Sequence, residues 1–151
     1  MKKHIYHSLI ALFGGLFGVS VLFLFYHLLS SAGFPSDPFP HTFLGYFLHY
    51  LLLVSLMEEG AKFLLIKRNI GQFPYGFFLG FGFGTGELFY RLIDGKMAGW
   101  VPILLHMLTA GIICFFIKQN RPVLGLVLAI VLHTAYNLTL IYAFPEVMMV
   151  K

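Results

Sequence analysis

Acidic residues are scarce in this chain. There are six among 151: Asp37, Glu58, Glu59, Glu87, Asp94 and Glu146. Charged residues of both signs make up only 11%, against about 25% in an average soluble domain. That shortage excludes a soluble globular domain and a disordered tail, since both need a polar, charged surface. Cysteine is nearly absent too. Cys114 is the only one, so an intrachain disulfide and a disulfide scaffold are excluded. A lone thiol is also a poor start for a zinc-thiolate site. No run of Lys or Arg exceeds two residues, so the net charge of +4 forms no polybasic patch, and a nucleic-acid partner is not expected.

Apolar residues dominate instead. They make up 59% of the chain, aromatics 18%, and the mean hydropathy is +0.86. This composition leaves an integral membrane protein, with the lipid bilayer as its solvent. A bilayer-spanning helix needs about 20 mostly apolar residues. Five segments meet that expectation, over about 5–30, 42–66, 75–93, 100–118 and 123–144. The breaks between them carry turn residues: Ser31 to Pro40 with three prolines and a glycine, Asn69 to Pro74, Asp94-Gly95-Lys96, and Gln119-Asn120-Arg121-Pro122. The reading is a single all-α domain, a polytopic bundle of about five transmembrane helices. Short connections make sequence neighbours antiparallel.

Positive charge sets the expected orientation. With the N-terminus in the cytoplasm, Lys2, Lys3, Lys67, Arg68, Lys118 and Arg121 lie inside, while Arg91, Lys96 and Lys151 lie outside. The excess of Lys and Arg on the inner side predicts N-terminus in, C-terminus out. The first segment also has features of a signal peptide, with Lys2-Lys3 ahead of it and Ser30-Ser31-Ala32 as a cleavage site. Its apolar run is longer than the usual 7–15 residues, which favours a retained helix.

Glycine spacing points to close helix contacts. Gly76, Gly80 and Gly84 recur every four residues, Gly82 and Gly86 form a second such pair, and Gly14 and Gly18 a third. Small residues at this spacing let backbones approach, so the third helix is expected at the centre of the bundle.

Three of the six carboxylates, Glu58, Glu59 and Glu87, sit inside apolar stretches together with Lys62, His106, His133 and Asn137. Burying such groups costs several kcal/mol, and they mark functional sites by default. Helical rise places Glu58 roughly 12 Å from the cytoplasmic end of its helix, Glu87 near ~20 Å, and His106 and His133 near ~18 Å. Four helices thus contribute to one polar band. Glu58 and Lys62 are i and i+4, as are Glu87 and Arg91, so each pair can form an ion pair. Glu59 points about 100° away from Glu58. His133 and Asn137 share a face and can address one oxygen atom. Each element also has a plainer reading: neutralised structural pairs for the two ion pairs, a satisfied core histidine for His106, and an interhelical clamp for His133 with Asn137. His27 and His49 carry no motif and read as packing or interfacial groups; His4, His7 and His41 read as surface groups.

Glu58-Glu59-Gly60-Ala61-Lys62 reads as EExxK, Phe83 to Glu87 as FxxxE, and His133 to Asn137 as HxxxN, with His106 opening an apolar stretch between them. This order on four successive helices resembles the PrsW family of intramembrane proteases. That family is grouped with the type II CAAX prenyl proteases and bacteriocin-processing proteins. The resemblance covers about 51–142. It implies an intramembrane protease of glutamic or metalloprotease type, in a prokaryotic cell membrane, acting on a membrane-anchored protein or peptide. Its site would comprise Glu58, Glu59, Glu87, His106, His133 and Asn137, supported by Lys62 and Arg91.

Two mechanisms suit these residues. In one, Glu58 acts as general base on water, Glu59 orients it or shares its proton, and His133 with Asn137 stabilises the oxyanion. In the other, Glu58 or Glu59, Glu87, His106 and His133 hold a metal such as zinc, which activates the water. The chain has no HExxH helix, so the sequence does not require a metal. Two further functions compete: a proton- or cation-coupled transporter or channel, and a non-catalytic membrane scaffold that keeps the protease fold. A transporter usually shows repeated halves or broken helices, and the sequence shows neither.

Overall fold

The computed structural model describes residues 2–33, 42–68, 73–93 and 99–143. All the regular structure in them is helical, in five continuous helices. Helix α1 is Lys2–Ser31. Helix α2 spans 43–68 and changes pitch on the way: α-helical Phe43–Leu48, π-helical His49–Ser55, then α-helical Leu56–Arg68. Helices α3, α4 and α5 are Phe73–Ile93, Val101–Lys118 and Pro122–Ala143. The expected connections at 34–41, 69–72 and 94–98, together with His41, Asp37, Glu146 and everything after 143, lie outside the described residues.

Local chemistry explains several helix ends. Thr42 caps α2, its hydroxyl accepting from the Gly45 N–H at 3.1 Å. Helix α3 starts two residues earlier than the expected 75, because Pro74 falls in the first turn, where no N–H is needed. Helix α4 ends in a Schellman turn. Arg121 N–H donates to the Phe116 carbonyl at 2.9 Å and Asn120 N–H to the Ile117 carbonyl at 3.1 Å. That turn requires a left-handed residue, and Asn120 supplies it with φ of 57°. Pro122 then opens α5 at once.

Three of the helices are long and apolar enough to cross a membrane: Ile5–Leu29 within α1, Val101–Lys118 and Pro122–Ala143. Together they mark a membrane protein. The other two of the five expected spans fall short of that test for a physical reason. In α2 the π-helical turn interrupts the α-helix, and Glu58, Glu59 and Lys62 follow it. In α3, glycines, Pro74, Glu87 and Arg91 dilute the apolar residues. Large apolar side chains cover the outside of the bundle, including Phe13, Phe17, Leu64, Phe89, Leu104 and Val131. Such a surface is suited to lipid and not to water.

Helix α3 is central, and its two glycine series serve two different neighbours. Gly76, Gly80 and Gly84 face α4, where an added methyl group would meet Cys114, the His106 carbonyl and Ile103 respectively. Gly82 and Gly86 face α1, meeting Leu12 and Val19. The partner numbers fall along α4 and rise along α1. Helix α3 therefore runs antiparallel to α4 and parallel to α1. On α1 the close approach is made at Gly15, against the backbone of Leu79 and Phe83, and at Gly18, against the Phe83 ring; Gly14 has only ordinary contact. An apolar core of Ala11, Ile66, Tyr75, Leu79, Ala110, Ile113, Cys114 and Ala129 fills one half of the bundle. The polar band lies beyond it.

The candidate active site

Four helices bring the polar residues into one buried cluster. Helix α2 supplies Glu58, Glu59 and Lys62; α3 supplies Glu87 and Arg91; α4 supplies His106 and Thr109; α5 supplies His133 and Asn137. Glu59, Lys62, His106 and Thr109 are 0% exposed. Every ionisable residue singled out for the site is here, and all but Arg91, which is partly buried, are buried; Asn137 is buried one turn after His133 on α5.

The centre of the cluster is an ammonium. Lys62 Nζ donates to Glu59 Oε1 at 2.5 Å, to Thr109 Oγ1 at 2.9 Å and to His106 Nδ1 at 2.9 Å. Its three N–H groups thus meet three acceptors. The spacing suggested a Glu58–Lys62 pair. The ion pair instead joins Lys62 to Glu59, at i and i+3. Both offsets bring side chains together on a helix. Helix α4 favours the Glu59 pair, because its Thr109 hydroxyl bonds both Lys62 Nζ and Glu59 Oε1.

Glu59 Oε1 also accepts from His133 Nδ1 at 2.7 Å and from the Thr109 hydroxyl at 3.2 Å. Glu59 therefore orients His133 and is itself neutralised. Glu87 is engaged at both oxygens. Its Oε1 accepts from Arg91 Nε at 2.7 Å, as the i, i+4 spacing predicts, and its Oε2 lies 2.7 Å from His106 Nε2.

Glu59 Oε2 and Glu58 Oε2 are both buried without a hydrogen bond, but Glu58 differs from the other two carboxylates in having no Lys or Arg partner among the described residues. Glu58 Oε2 faces His106 Nε2 and His133 Nε2, each at 3.8 Å. The two rings stand nearly perpendicular, 86° apart with centroids at 5.1 Å. Asn137 Nδ2 is likewise buried without an acceptor. The three carboxylates are met by two fixed cations, Lys62 and Arg91. One further proton between Glu58 and His133 would balance the cluster.

Glu58, His106 and His133 also form the one group among the described residues with metal-ligand spacing, their donor atoms all within 4.8 Å of one another. Glu87 drops out of the expected ligand set because Arg91 and His106 occupy its oxygens. The chemistry of the remaining three fits a metal only in part. His133 suits it: its Nδ1–H goes to a carboxylate, the common outer partner of a metal-bound histidine. His106 does not. Its Nδ1 accepts from an ammonium, so the ring proton sits on Nε2 and is directed at Glu87. A ring in that tautomer has no Nε2 lone pair to offer. That leaves two ligands, where a catalytic zinc site takes three. The arrangement does not fit a metal.

Thr109 was not singled out from sequence, although it lies three residues after His106 on the same helical face. A lone threonine in an apolar helix ordinarily bonds its own backbone, and here the His106 carbonyl at 3.3 Å is that alternative. Only the approach of α2 gives its hydroxyl a further role. Tyr26 was also missed. Its hydroxyl donates to the Leu53 carbonyl in the π-helical turn, joining α1 to the segment that leads into Glu58.

Compared with known proteins, the chain matches no protein-family model, no curated protein and no solved structure.

Proposed function

We propose that this chain is an intramembrane peptidase that hydrolyses a peptide bond of a membrane-anchored protein or peptide, with Glu58 as general base. The observation that carries the reading is the state of Glu58. Its neighbours Glu59 and Glu87 are each held by a cation through one oxygen, whereas Glu58 has no such partner among the described residues and its unbonded Oε2 faces the Nε2 atoms of both histidines. A base must have a free lone pair within reach of the proton it takes.

In this mechanism Glu58 takes a proton from water as the oxygen attacks the scissile carbonyl. The Asn137 Nδ2 donors stabilise the oxyanion, helped by His133 when its Nε2 is protonated. Collapse breaks the C–N bond, and the proton held between Glu58 and His133 passes to the leaving amine. Glu59 keeps the His133 ring in place throughout. No metal takes part in any step.

The four motifs resemble those of PrsW-type proteases, and their side chains meet in one site, which supports this reading. For orientation, Lys118 and Arg121 lie at the end of the bundle where α1 begins, which supports a cytoplasmic N-terminus; a prokaryotic cell membrane is proposed on the motif resemblance alone. The test is cleavage of a single-span substrate in proteoliposomes. Glu58→Gln should lower cleavage by about 10²–10⁴-fold in protein that still folds, and cleavage at the unaltered rate overturns the proposal. Ion uptake that depends on Glu87 would point instead to a transporter.

A further inference from the structure

We infer that Lys62 is a positioning residue that fixes the His106 tautomer and thereby denies the site a third metal ligand. The inference rests on geometry alone and does not depend on the peptidase reading.

The Lys62 side chain is fully buried and its three N–H donors each have one acceptor: Glu59 Oε1, Thr109 Oγ1 and His106 Nδ1. An ammonium has no lone pair, so the contact at 2.9 Å to His106 Nδ1 forms only if that nitrogen is unprotonated. The ring then carries its proton on Nε2 and donates it to Glu87 Oε2 at 2.7 Å. Arg91 holds that carboxylate in place from the other side. Donation thus runs from Lys62 through His106 to Glu87, where it meets the opposing donation from Arg91, across α2, α4 and α3. An imidazolium is excluded at His106 for the same reason.

Glu58, His106 and His133 already have metal-site spacing. His133 is already oriented by Glu59, as a ligand would be. Only the position of one proton on His106 separates this cluster from a Glu/His/His site. A group at 62 that accepts a hydrogen bond lets Nδ1 carry the proton and frees Nε2. Lys62→Gln permits this, since its amide oxygen can accept where the ammonium only donates; Nε2 then exchanges its hydrogen bond to Glu87 Oε2 for the metal.

Two measurements test the inference. The first uses the unaltered chain, purified in detergent with ¹⁵N-labelled histidine, and His106→Gln to assign the signal. Long-range ¹H–¹⁵N spectra should show His106 as the neutral Nε2–H tautomer; a neutral Nδ1–H ring or an imidazolium overturns the proposal. The second is cobalt(II) binding followed by its visible absorption. The unaltered chain should bind no stoichiometric cobalt(II) at the cluster. Lys62→Gln should gain one ion per chain, lost again in Lys62→Gln with His133→Ala. Stoichiometric binding by the unaltered chain that His106→Gln abolishes overturns the inference. So does a folded Lys62→Gln protein that binds none. A Lys62→Gln protein that fails to fold leaves the tautomer spectrum to decide.

Discussion

His133 divides its two ring nitrogens between neighbouring glutamates. Nδ1 lies 2.7 Å from Glu59 Oε1, and Nε2 faces Glu58 Oε2 at 3.8 Å. Adjacent carboxylates thus have different work. Glu59 is held at Oε1 by Lys62, Thr109 and His133 at once, whereas Glu58 has no Lys or Arg partner among the described residues and its Oε2 faces only the two histidines. Glu58→Gln should therefore lower cleavage by about 10²–10⁴-fold, the usual contribution of a positioned base, with little change in thermal stability. Glu59→Gln should lower both, because it removes an ion pair and a histidine anchor. Cleavage rates and melting curves in the same detergent distinguish the two. Equal stability losses in both variants would contradict the division of roles.

Removing the ammonium should be severe. Lys62→Met leaves Glu59 buried without a cation, and breaking a buried pair costs about 3–5 kcal/mol. Thr109→Val removes a hydroxyl that accepts from Lys62 and donates to Glu59, for a smaller loss of about 1–3 kcal/mol. Thr109→Ser should restore most of it. Denaturant or thermal unfolding checks the order Lys62→Met, then Thr109→Val, then Thr109→Ser.

Glycines that look alike in the sequence should respond differently. Gly80→Val has no space, because even a methyl group meets the His106 carbonyl across the α3–α4 contact. Overpacking of this kind costs about 1–3 kcal/mol or more, and it also pushes His106 away from Glu87. Gly60 lies inside the Glu58–Lys62 motif, yet an added methyl group there meets nothing within 4 Å. Gly60→Ala should be neutral or raise stability by up to about 1 kcal/mol, since alanine favours the helix. A destabilised Gly60→Ala would show that its motif position has a packing cause after all.

Orientation is open to direct measurement. A reporter fused after Lys151 should read as outside the cytoplasm, and one fused before Met1 as inside. The excess of Lys and Arg at the inner end drives this outcome. A cytoplasmic signal at Lys151 reverses the arrangement.

The bundle was largely legible in the sequence. Apolar runs of helical length and the turn residues at 119–122 marked α4 and α5 closely, and glycine spacing pointed to α3 as the centre. The change of pitch at His49–Ser55 was not legible, since nothing in His-Tyr-Leu-Leu-Leu-Val-Ser distinguishes a π-helical turn from an α-helical one. Its effect is local but consequential. It ends immediately before the segment that carries Glu58 and Glu59 and so sets which way they face.

Composition and spacing by themselves determined that this chain is helical, belongs in a membrane and gathers ionisable groups from four helices at one depth. The physical reason is that lipid permits few charges, so those present are conspicuous, and helical rise converts position in sequence into depth. Only the tertiary structure decided which partner each charge takes. Glu58 and Glu59 are one residue apart and both lie within a turn of Lys62. The ammonium goes to Glu59 because Thr109 and His106, supplied by α4, complete its three hydrogen bonds there. The scarcity of carboxylates was visible from the start. The separation of three buried ones into two that are neutralised and one that is free required the packing of α2 against α3, α4 and α5.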